Sequence, residues 1–546
     1  MSDQWYYLRD GARLGPVTAA ELRGLAARSE LGDSDAVWTR YLPGWTPFGK
    51  IRHHFAPPVA SEALTPPGMG IVDLGLDPPR SSAGPVVPRS YPMEPKDRIM
   101  RALFVALAVG LAWGIRGDFG HLLGAMYPGA VLLMALAYVA GQESLLRSMP
   151  VLAAASALGI GYGGHMSYGI LHGYAQADTF NNYAYGFLAL FLQGGAWGFY
   201  GGALVGMALE RERATWADWA GGIGVMIVSS FLTYWLIYEA IGFDINPPRS
   251  NSALAHLGGA IGLFGWFFFR KLPVATRASL LGFVGFGLGM AGGRLVGNVF
   301  HNLEGSFEIN HWNTMEVSCG LIGGFIFAFG MLGMRFRDRA TDKLLTLWDG
   351  IAAVFVLGLI PLFHLLTRVE DQDRAGWGTK LAEYGSSWTA SGIGLSLQVV
   401  VLLGFVGAAL WLYGQATGKE RWGALPVLWL SFVMLLFQNF RALYFFTPAK
   451  QNYIDMHSVF WLLFLAMAGY VAWREYQEGH SDECDSDEES DTVPWKLWST
   501  VALVGLVIIV LGAGLVNGPT TMKTANTRWP VWSWSQGPFP GTSPSE

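Results

Sequence analysis

From Ile99 to Val516 the chain alternates apolar runs of roughly 17 to 28 residues with short polar breaks, the length a helix needs to cross a bilayer. The runs place spans over 99–116, 122–141, 151–172, 183–209, 216–241, 253–269, 278–300, 315–334, 345–366, 389–414, 423–444, 456–473 and 495–516, about thirteen in all. The expected fold class is therefore an all-α polytopic membrane bundle. Ahead of it, residues 2–55 alternate aromatic and polar positions, then carry the amphipathic stretch TAAELRGLAARSEL and a short strand-like run near Ala36, the pattern of a small α+β unit. Residues 56–98 are rich in proline and read as an extended linker. The multi-pass domain runs over 99–516, with an acidic, solvated loop at 478–492, and the remainder, 517–546, is a tail.

In the N-terminal unit the residues Trp5-Tyr6-Tyr7, Gly11, Gly15-Pro16-Val17, Glu21-Leu22, Leu25, Leu31, Val37-Trp38 and Trp45-Thr46-Pro47 follow one another at informative intervals. In order and spacing this string resembles the bacterial GYF-domain-2 family. The resemblance implies a protein-interaction domain, because GYF domains of eukaryotes recognise Pro-Pro-Gly followed by an apolar residue. The linker holds such a sequence at Pro66-Pro67-Gly68-Met69, so the expected ligand is a proline-rich peptide, from this chain or another protein. Trp5, Tyr7, Trp38 and Trp45 are candidates for its groove, or else form the core of a domain too small to have another.

Composition supports the membrane reading. Of 546 residues 52% are hydrophobic and only 14% charged, too apolar for a water-soluble chain. A net charge of −5 gives no basic footprint for nucleic acid, and two cysteines give no disulfide framework. The first residues, MSDQWYYLRD, lack the basic and apolar regions of a cleaved leader. Basic residues gather before the first span and in alternate loops, as at Arg147, Arg211, Arg270, Lys271 and Arg335. This bias places the N-terminus in the cytoplasm of an inner-membrane protein.

With that orientation the polar residues within the spans fall at the external helix ends. They include Arg116, Asp118, His121, His165, Glu239, Arg294, Asn298, His301, His311 and Glu316, and these are the candidates for a substrate cavity. Ionisable groups inside a bilayer either pair or line an aqueous path. Arg294, the deepest, reads either as one half of a helix-locking ion pair with Glu239, Glu316 or Asp118, or as the anchor of an anionic group. The histidines show no HExxH motif and no i, i+4 pairing in one helix, so no metal or other cofactor is expected.

Glycine recurs every fourth residue at 194, 198, 202 and 206 and again at 285, 289, 293 and 297, stripes that let helix backbones approach closely. The octet GLAWGIRG at 110–117 returns as GGAWGFYG at 194–201. Those spans are three apart, so this is either a trace of inverted repeats or coincidence. Three functional readings follow. The leading one is a transporter or permease with an outward-facing polar cavity for a small anionic substrate. The second is a membrane-embedded transferase acting on a lipid-linked or envelope substrate, with His165, His301 or His311 as base, so the sequence leaves catalysis open. The third is a scaffold or sensor that recruits a partner through the N-terminal domain. All three have the lipid bilayer as a partner.

Overall fold

The computed structural model describes residues 5–9, 12–18, 21–22, 25–26, 31, 35–39, 46–48, 95–120, 122–165, 168–210, 214–247, 252–303, 310–334, 347–368, 403–404, 406–415, 422–444, 452–478 and 495–517. The expectations for Trp45, His121, the linker with Pro66–Met69, the acidic loop and most of the tail lie outside these residues, as does the side chain of Asp118. The chain divides into two compact units, Met1–Ser82 and Ala83–Glu546.

In the first unit four antiparallel strands, β1 (Trp5–Arg9), β2 (Ala12–Val17), β3 (Ala36–Thr39) and β4 (Thr46–Pro47), lie in the order β2-β1-β3-β4. Tyr7 stands opposite Leu14 on one side and Val37 on the other. Because strand side chains alternate between faces, Tyr7 and Val37 point together into a core with Leu22, Leu31 and Phe48, and Trp5 packs against it. Tyr7 is thus a core residue, and the opposite face carries the cross-strand pair Tyr6 and Trp38, whose rings stand 5.7 Å apart. The Arg13 guanidinium lies over the Tyr6 ring at 4.1 Å. A capping box opens the helical stretch after β2: Thr18 N donates to Glu21 Oε2 at 2.7 Å and Glu21 N to Thr18 Oγ1 at 3.2 Å. The Thr18 amide, with its hydroxyl, holds the Glu21 carboxyl below the ordinary glutamate range.

The second unit is helical. Its elements are α1 (Pro95–Arg116), α2 (Leu123–Ala140), α3 (Glu143–Arg147), α4 (Met149–Gly163), α5 (Gly169–Ala175), α6 (Phe180–Leu209), α7 (Trp216–Thr233), α8 (Ser252–Phe269), α9 (Pro273–Asn302), α10 (His311–Met331), α11 (Leu347–Val354), α12 (Ile360–Arg368), α13 (Leu425–Tyr444), α14 (Asn452–Glu478) and α15 (Trp495–Val516). Among the described residues nine helices are long and apolar enough to cross a membrane, the make-up of a multi-pass membrane protein. The run at 151–172 is not one continuous span: α4 stops at Gly163 and the helix resumes as α5. At the break α4 meets α6, where a Cβ on Gly163 would stand 2.6 Å from the Trp197 Cα. The fifth and ninth runs are also irregular, passing into π-helical turns at Tyr234–Ala240 and Phe355–Leu359. Of the tenth run, 389–414, only the C-terminal part is described, and residues 406–414 of it are helical.

The centre is a row of four helices in which α9 lies between α6 and α10, and α10 between α9 and α1. The stripe at 194, 198, 202 and 206 faces α9: a Cβ at Gly198 would meet the Gly282 carbonyl oxygen at 2.0 Å, and one at Gly202 the Ala278 oxygen at 2.0 Å. The other stripe faces α10, with Gly289 and Gly293 against Cys319. Backbones in such contact leave no room for a side chain. Replacing Gly198 by valine is expected to cost roughly 3 kcal/mol, the upper part of the range for overpacked sites, whereas Gly224→Ala, at a position with nothing within 4 Å, should be neutral. Thermal melting of the purified full-length variants in detergent tests both.

Candidate functional site

Arg116 is the last residue of α1, where the apolar face of that helix ends and the chain turns through Gly117–Phe119. Its side chain is 1% exposed and ion-pairs with Glu316 of α10 at 2.5 Å. Tyr168, which precedes the first turn of α5, closes the triangle. Arg116 Nη2 donates to the Tyr168 hydroxyl at 2.6 Å, and that hydroxyl donates to Glu316 Oε1 at 3.0 Å. Glu316 Oε2 accepts from Arg116, so both carboxylate oxygens are engaged. Gly117 brings the α1 backbone beside the Glu316 side chain, since a Cβ there would sit 3.6 Å from its carboxyl carbon.

Aromatic rings enclose the pair. The Arg116 guanidinium lies 5.3 Å from the Trp113 ring and 5.2 Å from the Trp197 ring, and the two indoles stand 5.6 Å apart. Those tryptophans are the fourth residues of the two similar octets. Each octet also presents its first and fifth glycines to a partner helix, Gly110 and Gly114 to Leu321 and Val317 of α10, Gly194 and Gly198 to Phe286 and Gly282 of α9. The likeness of the strings is therefore matched by a likeness of their surroundings.

Arg294, in α9, is 0% exposed and makes no ion pair with Glu239, Glu316 or any other described carboxylate. Glu239 lies exposed in the π-helical turn after α7. Arg294 Nε donates to Asn298 Oδ1 at 2.6 Å, Nη1 faces the Met315 sulfur at 3.7 Å, and Nη2 has no hydrogen-bond partner among the described residues. Met315, which Arg294 faces, immediately precedes Glu316, the partner of Arg116, so the two arginines meet α10 at consecutive residues. From Asn298 the network continues: Nδ2 donates to the Ala175 carbonyl at 3.0 Å and to Asn517 Oδ1 at 2.7 Å, while Asn517 donates to the Ala175 and Ala177 carbonyls at 2.8 Å each. These carbonyls end α5, so the short helix left by the Gly163 break is tied to α9 and α15.

The histidines separate into two groups. His301 of α9 and His311 of α10 are half-buried with rings 4.8 Å apart, two turns of α9 beyond Arg294. His165 is exposed and faces His256 at 6.0 Å on the other side of α4 and α6. Arg116 and Glu316 thus come together with Tyr168, Arg294 with Asn298 and Asn517, His301 lies one turn beyond Asn298 on α9, and neither His165 nor Glu239 makes an ion pair with either arginine among the described residues. Among the described residues no three His, Cys, Asp or Glu side chains converge as metal ligands would. Two members were not among the candidates read from the sequence, Tyr168 and Asn517. The signal for Tyr168 was the Gly163-Gly164 pair, which ends a helix inside an apolar run; Asn517 is the polar residue that ends the last run.

Removing one partner of a buried ion pair strands the other charge. Glu316→Gln should destabilise the protein by roughly 3–5 kcal/mol, and the double change Arg116→Met with Glu316→Leu should recover most of it. Thermal unfolding followed by tryptophan fluorescence, to which Trp113 and Trp197 contribute, measures both.

No curated protein and no solved structure matches the chain. Residues 5–53 match the family model described as GYF domain 2, so the four-stranded N-terminal unit is a GYF domain 2 carried by a membrane protein.

Proposed function

We propose that the membrane domain is a permease-like unit in which Arg294 receives the charged group of a small anionic solute. The observation that carries this reading is a guanidinium fully removed from solvent, with one nitrogen unpartnered and no described carboxylate in ion-pair reach. Arginine does not shed its proton to escape burial, and an uncompensated charge in a bilayer interior costs several kcal/mol. A bound anion removes that cost. Arg116 is already neutralised by Glu316, which leaves the cluster of Arg116, Glu316 and Arg294 one positive charge in excess. The break between α4 and α5, and the paired octets around Trp113 and Trp197, fit the discontinuous helices and inverted repeats of transporters. In the orientation read from the basic loops this cluster belongs to the external half of the domain, from which the solute would enter. The transferase reading ranks lower because Glu316 is occupied on both oxygens.

The test is anion-dependent stability of the full-length protein in detergent. Raising chloride, acetate or phosphate at constant ionic strength should raise the melting temperature of the wild type and of Arg294→Lys for at least one anion, while Arg294→Met should not respond. In the absence of that anion Arg294→Met should be as stable as the wild type or more so, because an apolar side chain replaces an unpaired charge. A wild type indifferent to all anions sinks the reading.

A second reading concerns the GYF domain, where the exposed-side pair Tyr6 and Trp38 with Arg13 forms an aromatic face outside the core. Such faces dock polyproline II segments cheaply, because the ligand is already extended. Titrating the peptide of residues 60–75 into the N-terminal unit should shift the Tyr6 and Trp38 signals, and Trp38→Ala should abolish the response. Absence of any shift at millimolar peptide excludes the chain's own linker as ligand.

A further inference from the structure

A cavity of about 110 Å³ lies between α4, α6, α7 and α8, with none of the arginine-site residues in its walls. Its walls are largely apolar, with Leu204 and Met207 from α6, Gly222 and Met226 from α7, and Leu263 and Phe267 from α8. Of the helices that line it, α7 belongs to the least covered of the nine described membrane-length helices, with Ile223, which borders the cavity, and Ile227 and Phe231 more than half exposed. The cavity reaches from Asp218 in the first turn of α7 to Met226, two turns deeper, and ends against Tyr162 and Tyr200.

At the Asp218 end a charged group stands ready. Arg270 follows the last residue of α8 and donates through Nε to Asp218 Oδ1 at 2.5 Å, with its side chain 41% exposed. The Trp266 indole supports it from below, donating to the Asp218 carbonyl at 3.0 Å while the guanidinium lies 5.7 Å from the ring. Held by Nε, the guanidinium keeps its two terminal nitrogens for another acceptor. Lys271 is exposed beside it. Asp218 is taken by Arg270 Nε and Glu210 by the Val274 amide, so the two carboxylates balance Arg270 and Lys271 in charge while the exposed basic ends face outward from α8.

An apolar slot open to the lipid, with a fixed cation at its mouth and a tryptophan beside it, has the polarity of one lipid molecule. We propose that this cleft binds a glycerophospholipid, its phosphate on the terminal nitrogens of Arg270 and one acyl chain lying along Gly222 toward Met226. Hydrocarbon fits such a space because a dry apolar cavity gains contacts from any chain that fills it. The phosphate fits because basic side chains at a membrane surface attract anionic head groups. Tyr200, whose hydroxyl donates to the His256 carbonyl at 2.6 Å, forms the floor and stops the chain.

The test uses the full-length protein with two photoreactive lipids that carry the same diazirine acyl chain, a phosphatidylglycerol and a diacylglycerol without phosphate. After irradiation, peptide mapping should find label on α7 and α6 at the cleft, with the phosphatidylglycerol favoured by about fivefold, the factor one basic contact to an anionic lipid supplies. Arg270→Gln should erase that preference while the diacylglycerol still labels the cleft, and Arg270→Lys should retain it in part. Leu204→Trp, which fills the slot, should remove cleft labelling by both lipids and leave untouched the labelling of α15, where Leu511 and Leu515 are 64% and 91% exposed. The proposal is overturned if cleft residues label no more than α15, if the phosphate preference survives Arg270→Gln, or if Leu204→Trp leaves cleft labelling intact in a protein that elutes as the wild type does.

Discussion

A guanidinium that cannot reach water must find its charge balance within the protein, and Arg116 does so through Glu316 and Tyr168. This triangle draws together the end of α1, the start of α5 and the first half of α10. Because the ion pair is buried, its geometry has to be kept closely if the desolvation of both charges is to be offset. The indoles of Trp113 and Trp197 close over the same guanidinium, so α6 is fixed as well. One salt bridge therefore sets the relative positions of helices that are far apart in the chain.

Close approach of the helices is what makes that bridge reachable. Lipid offers no hydrophobic gain for bringing two apolar helices together, so association rests on packing. The glycines of α6 against α9, and of α9 against α10, remove the side chains that would hold the axes apart. Arg294 sits on α9 within this tight row, which explains both its complete burial and the absence of a carboxylate partner: positions around it are given to Gly293, Gly297, Met315 and Cys319. A charge placed in such company is expensive, and its retention fits a functional role better than a structural one.

The two ends of the domain differ in chemistry. Two buried hydrogen-bonded groups, Arg116 with Tyr168 and Glu316, and Arg294 with Asn298 and Asn517, flank the short helix α5 that follows the α4–α5 break. At the start of α7, by contrast, an ion pair between Asp218 and the half-exposed Arg270 borders an apolar cleft. The first arrangement suits a charged solute held away from lipid; the second suits lipid itself.

Hydropathy alone determined the helical class of the long apolar part, and the alternation of residues 2–55 a small strand-bearing unit, because apolar length and strand alternation are local properties of the chain. The glycine stripes and the repeated octet were also readable as patterns, since each is a spacing along one segment. What they meet was decided by tertiary structure: nothing in the string GGAWGFYG says that Trp197 will face Trp113 across Arg116. The same holds for Glu316, which the sequence offered as a partner for Arg294 and which the packing of α1 against α10 gave to Arg116 instead, and for Tyr7 and Trp38, which strand register sent to opposite faces of one sheet. Burial was the quantity least legible in advance. The sequence marked Arg294 as polar within an apolar run, but only the packing of α9 between α6 and α10 left it buried and without a counter-charge among the described residues, because that outcome depends on which neighbours three separate helices supply.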